Sequence, residues 1–465
     1  MPDFHPHIQG LSSQLLGRIF DFYAHNPDGE RILNGRETTS FSSCEGGHYA
    51  NPGILLHVCK SWRTISLDRP SLWSTIIMIQ PIASYISRLE NWLRLSRTDL
   101  LNLQIIQTMP DDETPIEPLR EERTVVNTLL EILLRRIERW ESITFLLTIG
   151  FLPAFAEFPQ GKLEQLKSAT LDLSTWTTHP EVMNSIFCAI HAAPRLEFMS
   201  GFAAFFQSPT GIPDSVPWHQ LKGIELDVRV ISQEPLTISY VLAVLAKCPQ
   251  LTSATFKLEY CKKSSPAAQK TTLSMPNLVS LTLDDTSSAD VEYVLRSITL
   301  PSLHTLNISI DFEAHPSSLP HAVSGIISSS KCIIKYLGLD VQEEQLIKLL
   351  ALPFIKDVEV LCVGGNKTQV FASLLTRHAQ EKASLEVLPN LEYLQLNYSQ
   401  DRDGTNRVYA PTSALNTMVL SRTSQSPPAP GLKILKFISF RNEPDPSFPF
   451  PGLGDVPPEL EVRIF

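Results

Sequence analysis

The chain predicts an α/β protein: a small all-helical N-terminal module over residues 8–80, then a divergent repeat solenoid over residues 81–465, with a parallel sheet and outer helices. Three observations predict it. The pattern apolar-x-x-apolar-x-apolar recurs about every 30 residues through most of the chain. Segments with helical apolar spacing lie between many of these anchors. A proline stands just before several of the next anchors, where it ends the helix and leaves the chain extended for a strand.

The first 80 residues follow a different rule from the rest. Leu15, Leu16, Ile19, Phe20 and Tyr23 recur at helical spacing, with Ser12 or Ser13 available as the N-cap. Asn26-Pro27-Asp28-Gly29 stops that helix, and residues 26–53 read as a loop insertion rich in Gly, Ser, Thr and Asn. Leu55, Val58, Cys59, Trp62 and Ile65 form a second apolar face that ends near Pro70, followed by Leu72, Trp73 and the run Ile76–Ile79. So short a unit cannot bury a large core alone, so its apolar faces are expected to serve a partner or the next domain.

The repeats are clearest in Leu278-x-x-Leu281-x-Leu283, Leu303-x-x-Leu306-x-Ile308 and Leu391-x-x-Leu394-x-Leu396. Looser copies begin at Leu100, Trp140, Leu166, Leu196, Leu221, Leu251, Ile334, Ile355 and Leu432. Two copies remain close, Gln165–Leu173 and Gln250–Leu258, identical at six of nine positions. Helical segments between anchors include Val182, Ile186, Ile190 and Ala193, then Ile238, Val241, Leu242 and Leu245, then Val291, Val294, Leu295 and Ile298. Pro194, Pro249 and Pro301 follow them, with Pro353 and Pro389 in similar places. A single strand–helix pair cannot bury its own apolar face, so stacking is what makes the core. Residues 109–118, 259–276 and 399–411 read as insertions or linkers, and Leu460–Phe465 as extended chain.

The N-terminal pattern resembles the F-box family in its fungal, F-box-like form. The resemblance lies in Leu11-Ser-Ser-Gln-Leu-Leu-Gly-Arg-Ile-Phe20, Leu55-Leu-His-Val-Cys-Lys-Ser-Trp-Arg-Thr-Ile65 and Asp68-Arg-Pro-Ser-Leu-Trp-Ser74. The family pattern opens Leu-Pro-x-Glu-Leu-Leu; here Ser12 stands at the proline and Gln14 at the glutamate. The downstream repeats resemble the leucine-rich type, a common companion in that family. The resemblance implies docking to a Skp-type adaptor within a cullin–RING ubiquitin ligase, with Leu11, Leu15, Leu16, Ile19 and Phe20 facing the adaptor or supporting that face. Val58, Cys59, Trp62, Leu72 and Trp73 would pack the module or complete the interface. It further implies that the solenoid captures a protein substrate. The alternative is an adaptor-independent leucine-rich-repeat scaffold or ligand-binding protein.

Composition and motifs narrow the remaining classes. With 39 basic and 49 acidic residues, the net charge of −10 disfavours a general nucleic-acid binder, which needs clustered Lys and Arg. The seven cysteines are scattered and form no C-x-x-C pair, as suits a reducing cytoplasmic or nuclear setting. No secretory leader is read at the start, and the apolar stretch Ser142–Ala156 is short and holds Pro153, so no membrane span is expected. Val363–Thr368 lacks the glycines of a phosphate loop, with Leu361 and Asn366 at those positions, and reads as a strand-to-helix turn. His5, His7, Cys44, His48 and His57 are metal ligands by type but have no fixed spacing. No zinc-protease or hydrolase nucleophile motif occurs, so neither an enzyme nor a cofactor is expected. The sequons at Asn307, Asn366 and Asn397 carry little without a leader. Phe202, Phe205 and Phe206 read as core before hot spot.

Overall fold

The computed structural model of the chain describes residues 11–25, 40–42, 51–109, 115–173, 175–176, 178–202, 214–227, 238–257, 272–284, 288–310, 318–364, 388–398, 417–418, 421–422, 432–439 and 461–464. The chain divides into two compact units, residues 1–205 with 213–217, and residues 206–212 with 218–465.

The first unit begins with helix α1 (Ser13–His25). Ser12 caps it: its Oγ accepts a hydrogen bond from Leu15 N at 3.3 Å and its carbonyl one from Leu16 N at 2.9 Å. Strand β1 (Ser40–Ser42) follows, then the 3-10 turn Pro52–Ile54 and helices α2 (Leu55–Val58) and α3 (Lys60–Leu67). Extended Cys59 separates the last two. The turn Pro70–Trp73 leads into β2 (Thr75–Ile79). The expectation of an all-helical segment reaching residue 80 is therefore corrected. Its helices end at Trp73, and Ile76, Ile77 and Met78, buried in succession, form a strand. A helix would have buried only one stripe of such a run, whereas a strand covered on both faces buries all of it. Part of the 26–53 connection is also strand, since β1 pairs antiparallel with β2.

The unit continues through α4 (Ser84–Leu95), β3 (Leu101–Ile106), α5 (Ile116–Leu134), β4 (Trp140–Leu146), β5 (Ser168–Asp172), α6 (Pro180–His191) and β6 (Phe198–Phe202). From β2 to β6 each strand lies parallel to the next in sequence. Thr75 stands beside Asn102, Asn102 beside Ser142, Ser142 beside Ser168 and Ser168 beside Phe198. Two residues ahead of each of these lie Trp73, Leu100, Trp140, Leu166 and Leu196, so the repeat begins at Trp73 rather than near residue 100. Polar side chains tie the layers together. Arg139 donates to Asp99 O at 2.9 and 2.7 Å and to Ser96 Oγ at 2.8 Å. The buried Glu122 carboxylate accepts from Thr108 N at 2.9 Å and from its hydroxyl at 2.6 Å. Burial raises the Glu122 pKa above its ordinary value, more than these two bonds lower it.

The second unit runs β7 (Gly223–Asp227), α7 (Ile238–Lys247), β8 (Ser253–Lys257), β9 (Leu273–Ser274), β10 (Ser280–Asp284), α8 (Ser288–Ser297), β11 (Ile298–Thr299) and β12 (Thr305–Ser309). It then continues with α9 (Leu319–Ser330), β13 (Tyr336–Asp340), α10 (Glu343–Leu350), β14 (Val360–Gly364), β15 (Tyr393–Tyr398), β16 (Ile434–Ser439) and β17 (Glu461–Ile464). Apart from β9 and β11, which pair with each other, every strand is parallel to its neighbour in chain order. The anchors Leu221, Leu251, Leu278, Leu303, Ile334, Leu391 and Leu432 each lie two residues before a strand and are at most 3% exposed. For β14 that position belongs to Val358, not Ile355. The two apolar-x-x-apolar-x-apolar matches overlap by three residues, and Pro353 starts a 3-10 turn, Pro353–Asp357, that takes up Ile355. The strand register selects Val358.

In β8, β10 and β12 the second and fourth residues are buried and the others half-exposed. A parallel sheet sandwiched by helices would bury both faces. In these three strands one face carries the apolar core and the other stays open, whereas β13 and β14 bury successive residues. Apart from β1, both units are ladders of parallel strands, with helices in many of the described connections.

Candidate docking site

Helix α1 presents three different stripes. Leu16, Phe20 and Ala24 are buried, at 5%, 1% and 0% exposure, and the Phe20 ring lies 4.8 Å from that of Trp62. Gly17, Asp21 and His25, also four residues apart, face the stretch Arg69 to Ser71. Asp21 forms an ion pair with Arg69 and accepts from Ser71 Oγ at 3.0 Å, and His25 Nε2 lies 3.0 Å from Ser71 O. The third stripe, Leu15, Ile19 and Phe22, is exposed at 45%, 44% and 66%. Such spacing, i, i+4 and i+7, places three large apolar side chains along one side of the helix. A soluble helix normally turns that side inward. The next helical segment carries two more exposed apolar residues, Ile54 and Val58.

These positions sort the residues that the resemblance implied. Leu15 and Ile19 lie on the open stripe, and Val58 and Cys59 are exposed as well. Leu11 and Trp62 are half-buried. Leu16 and Phe20 support the helix from inside and cannot touch a partner without unfolding it. Leu72 and Trp73, at 0% and 1% exposure, belong to packing and not to an interface. Trp73 donates its Nε1–H to Ser66 O at 2.9 Å and meets the Trp92 ring edge-on at 5.4 Å. Phe22 and Ile54 were missed from sequence. The i+3 step from Ile19, which is i+7 from Leu15, was the available signal for Phe22.

The open sheet face of the second unit is the other surface of note. Strand register aligns Glu225, Thr255, Thr282, Asn307, Gly338, Cys362 and Gln395 in one row, of which Gly338 and Cys362 are buried. Asn307 Nδ2 donates to Thr282 Oγ1 at 3.1 Å, and Gly338 leaves room for the Asn307 carboxamide, which a Cβ would meet. The sequon asparagine Asn307 is thereby held within the sheet. In the adjoining row, Tyr336 OH lies 2.9 Å from Cys362 Sγ. This face is mostly neutral and polar, with Lys257 and Glu225 paired at 3.5 Å.

Other sequence motifs resolve less. Of Val363–Thr368, only Val363 and Gly364 are described, and they finish β14. His5, His7, Cys44 and His48 lie outside the described residues, as do Phe205 and Phe206, while His57 is exposed on α2. Among the described residues no three potential ligands gather as a metal site, and no helix is long and apolar enough to cross a membrane. Cys59, Cys188, Cys248, Cys332 and Cys362 are free thiols, and burial pushes the Cys248 thiol up to about 12.

Fold and site together define a strand–helix repeat protein with an outward apolar stripe on its first helix. No family model matches the chain, and no curated protein matches it. Among solved structures, a Bacteroides fragilis protein shares 15% identity at a TM-score of 0.36, over 52% of this chain and 72% of its own. A TLR13–ssRNA13 complex shares 12% identity at a TM-score of 0.31, and the match covers 78% of this chain and 42% of that one. This chain thus spans less than half the length of the second. Neither likeness bears on function.

Proposed function

We propose that the protein is an F-box-type substrate receptor, docking a Skp-type adaptor of a cullin–RING ubiquitin ligase and holding a protein substrate on leucine-rich repeats. The observation that carries this reading is the exposed stripe Leu15, Ile19 and Phe22 on α1. Partly covered already, each would contribute roughly 1–2 kcal/mol when a partner completes its burial. The Ser12 cap supports it too, since serine starts the helix where the family places proline. The open polar face of the second unit suits capture of a protein surface. Function is then proximity: the receptor raises the local concentration of substrate lysines near transfer machinery supplied by other subunits.

A second reading, an adaptor-independent scaffold whose helices only cap the repeats, is favoured by buried Trp73 serving as the first repeat anchor, with Leu72 buried just before it. Co-purification separates the two. The full chain should recover the adaptor from cells in which other F-box proteins recover it. Recovery of none would leave the scaffold reading.

A further inference from the structure

We infer that Arg69 and Asp21 form a clasp that fixes α1 against the first repeat, making them positioning residues for whatever α1 docks. The polar stripe Gly17, Asp21 and His25 meets one short stretch of chain, Arg69 to Ser71. The Arg69 guanidinium lies on Gly17 so closely that a Cβ there would overlap its Nη1. Its Nη2 and Nε donate to the two Asp21 carboxylate oxygens, and Ser71 Oγ donates to Oδ1. His25 Nε2 adds a contact to Ser71 O one turn further on. Ser71 sits two residues before Trp73, the first anchor of the repeat ladder, so the clasp joins the docking helix to the start of the sheet. Both charged side chains are about 30% exposed, at 29% and 30%, which leaves the pair partly shielded from water.

A guanidinium is the far end of a flexible side chain and could swing away from an added methyl group. Asp21 opposes that by holding its Nε and Nη2 with one carboxylate. Glycine inside a helix is otherwise a disadvantage, and alanine there ordinarily strengthens the helix. The atoms nearest to a Cβ at Gly17 all belong to Arg69, so the clasp accounts for the glycine.

Amide hydrogen exchange of the full chain tests this through the sign of the effect. Gly17→Ala should lower protection of α1 by about tenfold, although alanine is the better helix former. Asp21→Ala should lower it comparably. In the Asp21→Ala background Arg69 is free to move, so adding Gly17→Ala should raise protection. Asp21→Glu should largely preserve the wild-type value. Raised protection in Gly17→Ala alone, or additive effects in the double variant, would overturn the clasp. Its bearing on docking rests on the adaptor reading: Asp21→Ala should weaken adaptor binding about tenfold with the stripe intact, and unchanged affinity would remove the positioning role. If the wild type binds no adaptor, that reading falls and the exchange result still decides the clasp.

Discussion

The repeat ladders and helix α1 treat the same residue types in opposite ways. In the ladders, Leu281, Leu283, Leu306 and Leu394 are fully buried. On α1, Leu15 and Ile19 stand nearly half-exposed and Phe22 more so. Both patterns are regular, so regularity does not distinguish core from interface. The difference lies in the number of apolar stripes. Ladder strands such as β8, β10 and β12 have one apolar face and one neighbour layer to cover it. Helix α1 has an apolar stripe to spare after its inner one has packed against Trp62. That exposed stripe is what the docking proposal rests on.

The comparison breaks most readily at its boundary residue. Trp73→Ala should cost about 3–5 kcal/mol in denaturant unfolding, because it removes a buried ring shared by the helices and the first repeat. Leu15→Ala should stay within about 0.5 kcal/mol of wild type. Similar costs for the two would erase the distinction between packing and exposed residues.

Two buried titratable groups in the first unit sharpen the ladder side. Burial lowers the His191 pKa from 6.5 to about 4, so its stability contribution is present above pH 6.5 and lost as pH falls through 4, by about 3 kcal/mol. His191→Leu should flatten the unfolding midpoint across that window. Glu122 acts oppositely: with its pKa raised above 4.5, its contribution is present below that value and lost as pH rises through the folded one. Glu122→Gln should remove that decline, read from the same midpoint series. A decline that persisted would place its origin elsewhere. At the small end, Lys335→Ala breaks an exposed pair with Glu359 and should change stability by less than about 1 kcal/mol.

The ladder was legible in the sequence because stacking forces one residue type onto one position repeatedly. Leu278, Leu303 and Leu391 announce their strands without further context. Where two matches overlap, as at Ile355 and Val358, only pairing with the neighbouring strand chooses between them. Trp73 was hidden for a related reason: it satisfies the helical pattern before it and the repeat after it. On α1 the helix was readable, but Leu15 and Leu16 look alike in sequence. Which of them faces outward depends on where Trp62 and Arg69 pack, and those lie more than 40 residues away in the chain. The open sheet face was likewise unreadable, since its rows of Thr, Asn and Gly align only through register.

The most direct test of the docking claim is binding of the purified full chain to a purified Skp-type adaptor, compared with Leu15→Asp/Ile19→Asp. The account predicts a stable complex for the wild type, its loss in the double variant, and unchanged unfolding of that variant. No complex with the wild type, or a complex that survives both substitutions, would contradict it.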